Sequence, residues 1–159
     1  MPYCMGTRRD DLDKRGFCPE QAFMVRKLLS TEENKKKYCL ALNPPAECGV
    51  YAVDGYIINE GCRCDKLVLI APRKDSEAEG EIFVELKGKD VAHAIAQLEA
   101  TLSYPLFSRL PRSRRCARIV AQSYPRNTGN SLMERAKLRF LQRYGCDLRT
   151  RHSGEREVW

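Results

Sequence analysis

Two carboxylates and one lysine are spaced so that a β-hairpin could bring them together. Asp65 begins one apolar run, and Glu85 and Lys87 lie two residues apart at the end of the next run. Because alternate residues of a strand share a face, Glu85 and Lys87 can point into one site while Leu86 points into the core. In an antiparallel hairpin the start of one strand lies beside the end of the next, so Asp65 is predicted to lie beside this pair.

These groups predict a metal-dependent phosphodiester hydrolase. The carboxylates of Asp65 and Glu85 and the backbone carbonyl of Leu86 are hard oxygen ligands, which Mg²⁺, or Mn²⁺ in its place, prefers. The ion would lower the pKa of a bound water that attacks phosphorus, and it would neutralise the charge that builds on the phosphate. The ammonium of Lys87 would orient this water or stabilise the transition state.

The residues around these groups predict a meander followed by a helix. Three runs rich in Val, Ile, Tyr and Phe are separated by turn-forming residues and predict antiparallel strands at residues 49–59, 65–72 and 81–87. Asp90 can cap a helix over residues 91–103, whose apolar positions recur at helical spacing.

The N-terminal third predicts one helix and little other regular structure. The first fifteen residues are charged and predicted to be irregular. Residues 19–29 have apolar residues at helical spacing behind a proline suited to the first turn, and they predict a helix. The sequence Asn43-Pro44-Pro45 should then interrupt regular structure.

The C-terminal segments complete the predicted order of elements. Residues 117–123 predict a strand that returns beside the sheet. Ser131 can cap a basic amphipathic helix that ends near Tyr144, and residues 147–159 predict a last pair of strands. The full order predicts an α/β or α+β fold, with a central mixed β-sheet flanked by helices.

The dipeptide Cys64-Asp65, a spacer of nineteen residues and the tripeptide Glu85-Leu86-Lys87 resemble the motif of the PD-(D/E)XK nuclease superfamily. Its members include restriction endonucleases, Holliday-junction resolvases and DNA-repair exonucleases. The cysteine stands where the superfamily's name-giving proline stands. The resemblance implies a restriction-endonuclease-like core of the order αβββαβ, in which the aspartate and the glutamate bind the metal ion and the lysine assists the attack.

The resemblance adds further candidate residues. Several exonuclease-type members place a catalytic glutamine on the helix after the third strand, where this chain has Gln97, and His93 lies one helical turn earlier. Many members also supply a glutamate from the first helix. The sequence does not choose among the three residues that could serve, which are Glu20, Glu32 and Glu33.

Basic residues are concentrated in the C-terminal third. The chain has 28 basic and 21 acidic residues, and residues 103–151 contain twelve basic residues against two acidic ones. Such a run is often just a solvated face, but so few compensating acids favour contact with nucleic-acid phosphates. The residues expected to make these contacts are Arg112, Arg114, Arg115, Arg135, Lys137 and Arg139.

The eight cysteines are expected to be reduced and mostly buried. A zinc site made by Cys39, Cys48, Cys62 and Cys64 is an alternative, but their spacing departs from the paired cysteines of structural zinc sites. The apolar runs are too short to cross a bilayer, and the N-terminus is polar. We therefore expect a cytoplasmic protein with no membrane partner.

Taken together, these features predict a single nuclease domain over residues 1–159. The resemblance covers a core at about residues 49–123, and a basic extension follows at about residues 124–159. The expected function is that of a metal-dependent DNA endonuclease in defence, recombination or repair, and it is expected to act as a homodimer because one active site cuts one strand. The alternative is a non-catalytic nucleic-acid-binding or accessory subunit that keeps a nuclease fold.

Overall fold

The computed structural model describes residues 6–73, 78–86, 90–122 and 130–159 and has an α+β fold. The described helices are α1 (Arg8–Lys14), α2 (Val91–Leu102) and α3 (Asn130–Tyr144), with a short 3-10 helix at Pro105–Phe107. The described strands are β1 (Gln21–Glu33), β2 (Lys36–Ala52), β3 (Lys66–Ile70), β4 (Glu79–Glu85), β5 (Ser113–Ala121), β6 (Cys146–His152) and β7 (Arg156–Val158). None of the described helices has the length and apolar character needed to span a membrane.

The central sheet combines an antiparallel meander with parallel strands. Its strands lie in the order β1-β2-β3-β4-β5-β6, and β7 pairs with β2 off this path. Strands β2, β3 and β4 are antiparallel neighbours, which confirms the predicted meander. The chain then passes through α2 to β5, which is parallel to β4, and through α3 to β6, which is parallel to β5. The mixed sheet with flanking helices therefore agrees with the predicted fold class.

One apolar core lies between the sheet and its helices. Leu67 of β3 and Phe83 of β4 are fully buried in a cluster with Leu98 of α2 and Phe140 of α3. The helix predicted over residues 91–103 is confirmed, and its apolar stripe faces this core. These contacts fix α2 next to the end of β4.

The opposite face of the sheet is covered by the half of the β1–β2 hairpin that lies nearest its turn. This half consists of the second half of β1 and the first half of β2. Val68 of β3 and Val84 of β4 share a buried cluster with Leu29, Tyr38 and Leu40 of that hairpin. Strand β1 pairs with both halves of β2, whereas β3 pairs only with the second half and β7 only with the first half. The hairpin therefore folds back over the sheet.

The hairpin ends in a tight turn at Asn34-Lys35. Both residues have positive φ angles, 52° and 62°, as a two-residue turn of type I′ requires. Glu33 and Lys36 are paired across this turn. We call residues 34–37 the hairpin tip.

The predicted helix over residues 19–29 is wrong, because this segment belongs to strand β1. Met24 is 54% exposed and Val25 is 69% exposed, so the apolar residues at helical spacing do not form one buried face. Pairing with β2 along the strand overrides the local helical pattern.

The start of the described chain also differs from the prediction. Helix α1 lies within the segment predicted to be irregular. Thr7 begins it with a capping box, in which the Thr7 side chain accepts from the Asp10 N–H and the Asp10 carboxylate accepts from the Thr7 N–H. This short-range signal was present in the sequence.

The prolines at positions 44 and 45 interrupt the pairing of β2 but not the strand itself. Leu28 pairs with Ala41 and Arg26 pairs with Ala46, so residues 42–45 have no partner in the β1 register. Proline lacks the N–H group that a ladder needs, which accounts for the irregularity at this point.

Two further strand predictions need correction. The strand predicted over residues 49–59 ends at Ala52, because the chain turns at Gly55, where φ is 76°. The two last strands exist but do not pair with each other. Strand β6 extends the sheet beside β5, and β7 lies beside the first half of β2.

A buried carboxylate joins α1 to the sheet. Glu81 accepts hydrogen bonds from Arg8 Nε at 2.8 Å and from Arg115 Nε at 3.0 Å, and all three residues are buried. The prediction that Arg115 contacts nucleic-acid phosphates is therefore wrong, because Glu81 holds its guanidinium group inside the protein.

Replacing Glu79 with glutamine should change how stability depends on pH. Burial raises the pKa of Glu79 to about 7 from its ordinary value of 4.5, although its carboxylate accepts hydrogen bonds from the Arg8 and Arg9 N–H groups. Between these two values the folded protein holds a proton that the unfolded chain releases. The contribution of Glu79 to the free energy of unfolding is therefore fully present at low pH. About 2–3 kcal/mol of this contribution should be lost as pH rises to 7.

The Glu79→Gln variant should lack this loss, because glutamine has no proton to release. Urea denaturation of both proteins between pH 4.5 and 8 would measure the difference in the free energy of unfolding. Identical pH profiles would contradict the assignment.

Candidate metal centre

Asp65 lies beside Glu85 where the start of β3 meets the end of β4. Lys66 pairs with Val84 in the antiparallel register, and the Asp65 N–H donates to the Val84 carbonyl at 3.1 Å. Val84 is already the partner of Lys66, so this bond marks an irregularity at the end of the regular pairing. Asp65 Oδ2 also accepts a hydrogen bond from the Leu86 N–H at 2.7 Å. Hydrogen bonds to the residues on both sides of Glu85 therefore hold Asp65 beside it, and the structure brings these two predicted residues together.

The Asp65 carboxylate is buried and only partly satisfied. Asp65 is 1% exposed, and its Oδ2 atom accepts a hydrogen bond from the Leu86 N–H at 2.7 Å. Its Oδ1 atom has no hydrogen-bond partner within the part of the chain that the structure describes. A buried polar atom in this state is costly, and a cation bound at Oδ1 would remove that cost.

Two more carboxylates complete an acidic cluster around Asp65. One oxygen each from Glu33, Asp54 and Asp65 lie within 4.8 Å of one another. Glu33 ends β1 at the hairpin tip, and Asp54 follows β2. They meet because the hairpin folds back over the sheet and returns its tip to the end at which β2 leaves the sheet. We call Glu33, Asp54, Asp65 and Glu85 the acidic cluster.

Two cations compensate part of this charge. The Lys66 ammonium lies 2.8 Å from a Glu20 carboxylate oxygen and 3.8 Å from a Glu33 oxygen. Arg63 Nε lies 2.5 Å from Asp54 Oδ1. These ion pairs reduce the repulsion among carboxylates that lie so close together.

Sequence reasoning missed Asp54, Lys66 and Arg63 and left the upstream glutamate open. Of the three candidate glutamates, Glu33 joins the acidic cluster, while Glu20 pairs with Lys66 and Glu32 is exposed. The turn signal Asp54-Gly55 at the end of an apolar run could have indicated that Asp54 lies at the same end of the sheet as Asp65.

The donor set suits a hard divalent cation. It consists of carboxylate oxygens, which Mg²⁺ and Mn²⁺ accept, and one of them is the buried Asp65 oxygen that lacks a described partner. The residues of the chain therefore fit the predicted metal. Among the described residues, Glu33, Asp54 and Asp65 of the acidic cluster form the group of potential ligands whose oxygens lie close enough together to share an ion.

The cysteines do not form the alternative zinc site. Cys64 is buried in the core on the helix face, whereas Cys48 is buried in the core on the opposite face. Two thiols separated by the sheet cannot share an ion. Burial also raises the pKa of Cys48 to about 11, which disfavours the thiolate that binds zinc.

Gln97 supports the chain that leads to Asp65. Its Nε2 atom donates to the Arg63 carbonyl at 3.2 Å, and the Thr101 hydroxyl accepts from the Cys64 N–H at 2.8 Å. Helix α2 therefore fixes the two residues before Asp65. His93 is exposed in the first turn of that helix, where its backbone N–H bonds to the helix cap. Lys87 lies outside the described residues.

Two exposed arginines predicted to bind nucleic acid lie far from the acidic cluster. Arg114 pairs with Gly80, five residues before Glu85, which is about 17 Å along a strand. Arg112 lies at the same distant end, just ahead of β5. They cannot contact the phosphate group that the acidic cluster would hold.

The predicted basic residues of α3 are partly compensated. Lys137 pairs with Glu134 at 3.2 Å, and Arg139 pairs with Glu99 of α2 at 2.5 Å. Arg135 is exposed. Their role in binding nucleic acid stays a prediction.

No protein-family model matches the chain, and neither curated proteins nor solved structures gave a match.

Removing the buried carboxylate should weaken metal binding. The Asp65→Asn variant should bind Mn²⁺ at least about tenfold more weakly than the unmodified protein, because Asp65 is the buried carboxylate of the group that it forms with Glu33 and Asp54. Isothermal titration calorimetry would measure this. Glu60→Gln is a matched control, since it removes one exposed charge from the nearby loop. Equal affinity of Asp65→Asn and Glu60→Gln for Mn²⁺ would contradict the site.

Proposed function

We propose that the chain is a metal-dependent nuclease that hydrolyses phosphodiester bonds at the acidic cluster. One observation carries the proposal. Asp65 is buried with one oxygen that has no described partner, its carboxylate lies close to those of Glu33 and Asp54, and its hydrogen bonds to Val84 and Leu86 hold it beside Glu85. A non-catalytic protein would gain nothing from acids that must be desolvated beside one another.

The topology supports the same function. The antiparallel strands β2, β3 and β4, then α2 and the parallel strand β5, follow the order that the resemblance to PD-(D/E)XK nucleases implies. Asp65 and Glu85 occupy the edge of the meander where such an enzyme would hold its metal ion. The restriction-endonuclease-like core is thus part of the proposal.

The residues of the cluster have separable roles in this mechanism. Asp65 and Glu85 would hold Mg²⁺ or Mn²⁺ together with the Leu86 carbonyl, and Glu33 and Asp54 would add ligands directly or through water. Once bound, the ion would supply a water of lowered pKa and neutralise charge on the phosphate. The Leu86 N–H fixes one Asp65 oxygen, which leaves the other oriented as a ligand. Lys87 would stabilise the transition state.

The reaction is an ordinary hydrolysis. The oxygen of water forms a bond to phosphorus, and the bond between phosphorus and the leaving sugar oxygen breaks. The proton lost by the water ends on solvent, and the leaving oxygen takes up a proton. The products are a phosphate monoester end and a free hydroxyl end.

The more specific proposal is a DNA endonuclease acting in defence, recombination or repair. One acidic cluster would cut one strand, so two copies of the chain would be needed to cut both strands of a duplex together. A homodimer therefore belongs to the proposal as well.

Cleavage assays test the function directly. Supercoiled plasmid, linear duplex, single-stranded DNA and RNA would be incubated with the protein in Mg²⁺ or Mn²⁺. Metal-dependent cleavage is expected, and Asp65→Asn and Glu85→Gln should each lower its rate by about 100-fold or more. Glu60→Gln should cleave like the unmodified protein, because Glu60 is exposed outside the cluster.

Two results would contradict the proposal. Cleavage that survives Asp65→Asn would show that the acidic cluster does not carry the activity. Binding of nucleic acid without cleavage of any substrate would favour the accessory, non-catalytic alternative.

A further inference from the structure

We propose that the hairpin tip is a phosphate-binding arm, in which Lys35 and Lys36 contact the backbone of a nucleic acid beside the acidic cluster. The proposal rests on the proposed function for the identity of the polyanion. The binding it describes can be measured without any cleavage.

The fold places these lysines next to the acidic cluster. Lys36 is the cross-strand partner of Glu33, and a Glu33 oxygen lies within 4.8 Å of oxygens of Asp54 and Asp65. Cross-strand partners have Cβ atoms about 5 Å apart. If the acidic cluster held one phosphate of a nucleic acid, the neighbouring phosphates of the same nucleic-acid strand would therefore lie within reach of the long lysine side chains of the tip.

The lysines of the tip differ from nearby cations in having no described counter-ion. Lys35 is exposed, Lys36 is half-buried, and neither forms an ion pair within the described ranges. In contrast, Lys66 and Arg63 are paired with carboxylates. Adjacent ammonium groups repel one another, and a polyanion would relieve that repulsion.

The backbone of the tip is fixed by neighbouring elements. The Lys35 carbonyl accepts from Gln122 Nε2 at 3.4 Å, just beyond the end of β5. The Lys37 N–H donates to Ser153 Oγ at 2.9 Å, and the Lys37 carbonyl accepts from the Gly154 N–H at 2.8 Å. Because these contacts hold the main chain, binding would cost only the ordering of the lysine side chains.

The kind of ligand follows from the cations themselves. Lysine ammonium groups are mobile point charges without the planar fork that reads base edges or clamps a phosphate in two places. They suit contacts with successive phosphates of a chain. Binding by the tip should therefore be independent of sequence and sensitive to salt.

A salt titration with two matched double variants tests the proposal. Lys35→Gln/Lys36→Gln removes two charges at the tip. Arg112→Gln/Arg143→Gln removes two exposed charges at the opposite end of the sheet, because Arg112 precedes β5 and Arg143 lies in the last turn of α3. Binding of a short labelled DNA duplex would be measured by fluorescence anisotropy in EDTA between 50 and 200 mM NaCl, so that metal-dependent cleavage does not occur.

The tip variant should reduce the slope of log affinity against log salt by about 1.8, since each lost duplex contact removes about 0.9. Its Kd at 100 mM NaCl should rise about tenfold or more, and the control variant should change both quantities much less. Circular dichroism melting would verify folding, and Lys36→Gln alone should give about half the change in slope.

Equal effects of the two double variants would overturn the proposal, because net charge alone would then explain the loss. An unchanged slope in the tip variant, or no salt-dependent binding by the unmodified protein, would overturn it as well. The cleavage assay keeps the two proposals apart. If nothing is cut but the tip variant still lowers the slope, the phosphate-binding arm stands and the nuclease function fails.

Discussion

The burial of a carboxylate among other carboxylates is the constraint on which the rest of this structure depends. Asp65 is nearly inaccessible to water, lies beside the fully buried Glu85 and shares its surroundings with Glu33 and Asp54. Removing such groups from water and bringing like charges together opposes folding. Lys66 and Arg63 offset part of this cost, and the Leu86 N–H satisfies one Asp65 oxygen. A divalent cation would satisfy the other Asp65 oxygen, which has no hydrogen-bond partner among the described residues.

The two apolar cores explain how the fold sustains this arrangement. On one face, α2 and α3 cover the meander, and Gln97 and Thr101 of α2 fix the chain just before Asp65. On the other face, the β1–β2 hairpin packs Leu29, Tyr38 and Leu40 against the sheet and so returns its tip to the acidic cluster. Burial of apolar side chains therefore supplies the free energy that holds the acidic groups in place.

The parts of the site that follow from local rules could be predicted from the sequence. The proximity of Asp65 and Glu85 needs only an antiparallel hairpin, and α2 has a clear cap and apolar stripe. Glu33 was only one of three glutamates that the sequence offered for the site. Its position beside Asp65 could not be predicted, because it depends on a long hairpin that folds back over the sheet. The burial of Arg115 was not predictable either, since its partner Glu81 is 34 residues away and on another strand.

A crystal soaked in MnCl₂, with diffraction data collected near the manganese absorption edge, tests the central claim most directly. The account predicts an anomalous difference peak in contact with Asp65 Oδ1 and a Glu85 carboxylate oxygen, with Glu33 or Asp54 as a further ligand directly or through water. A map without a peak at the acidic cluster, or one in which a protein cation occupies the Asp65 oxygen instead, would contradict the account.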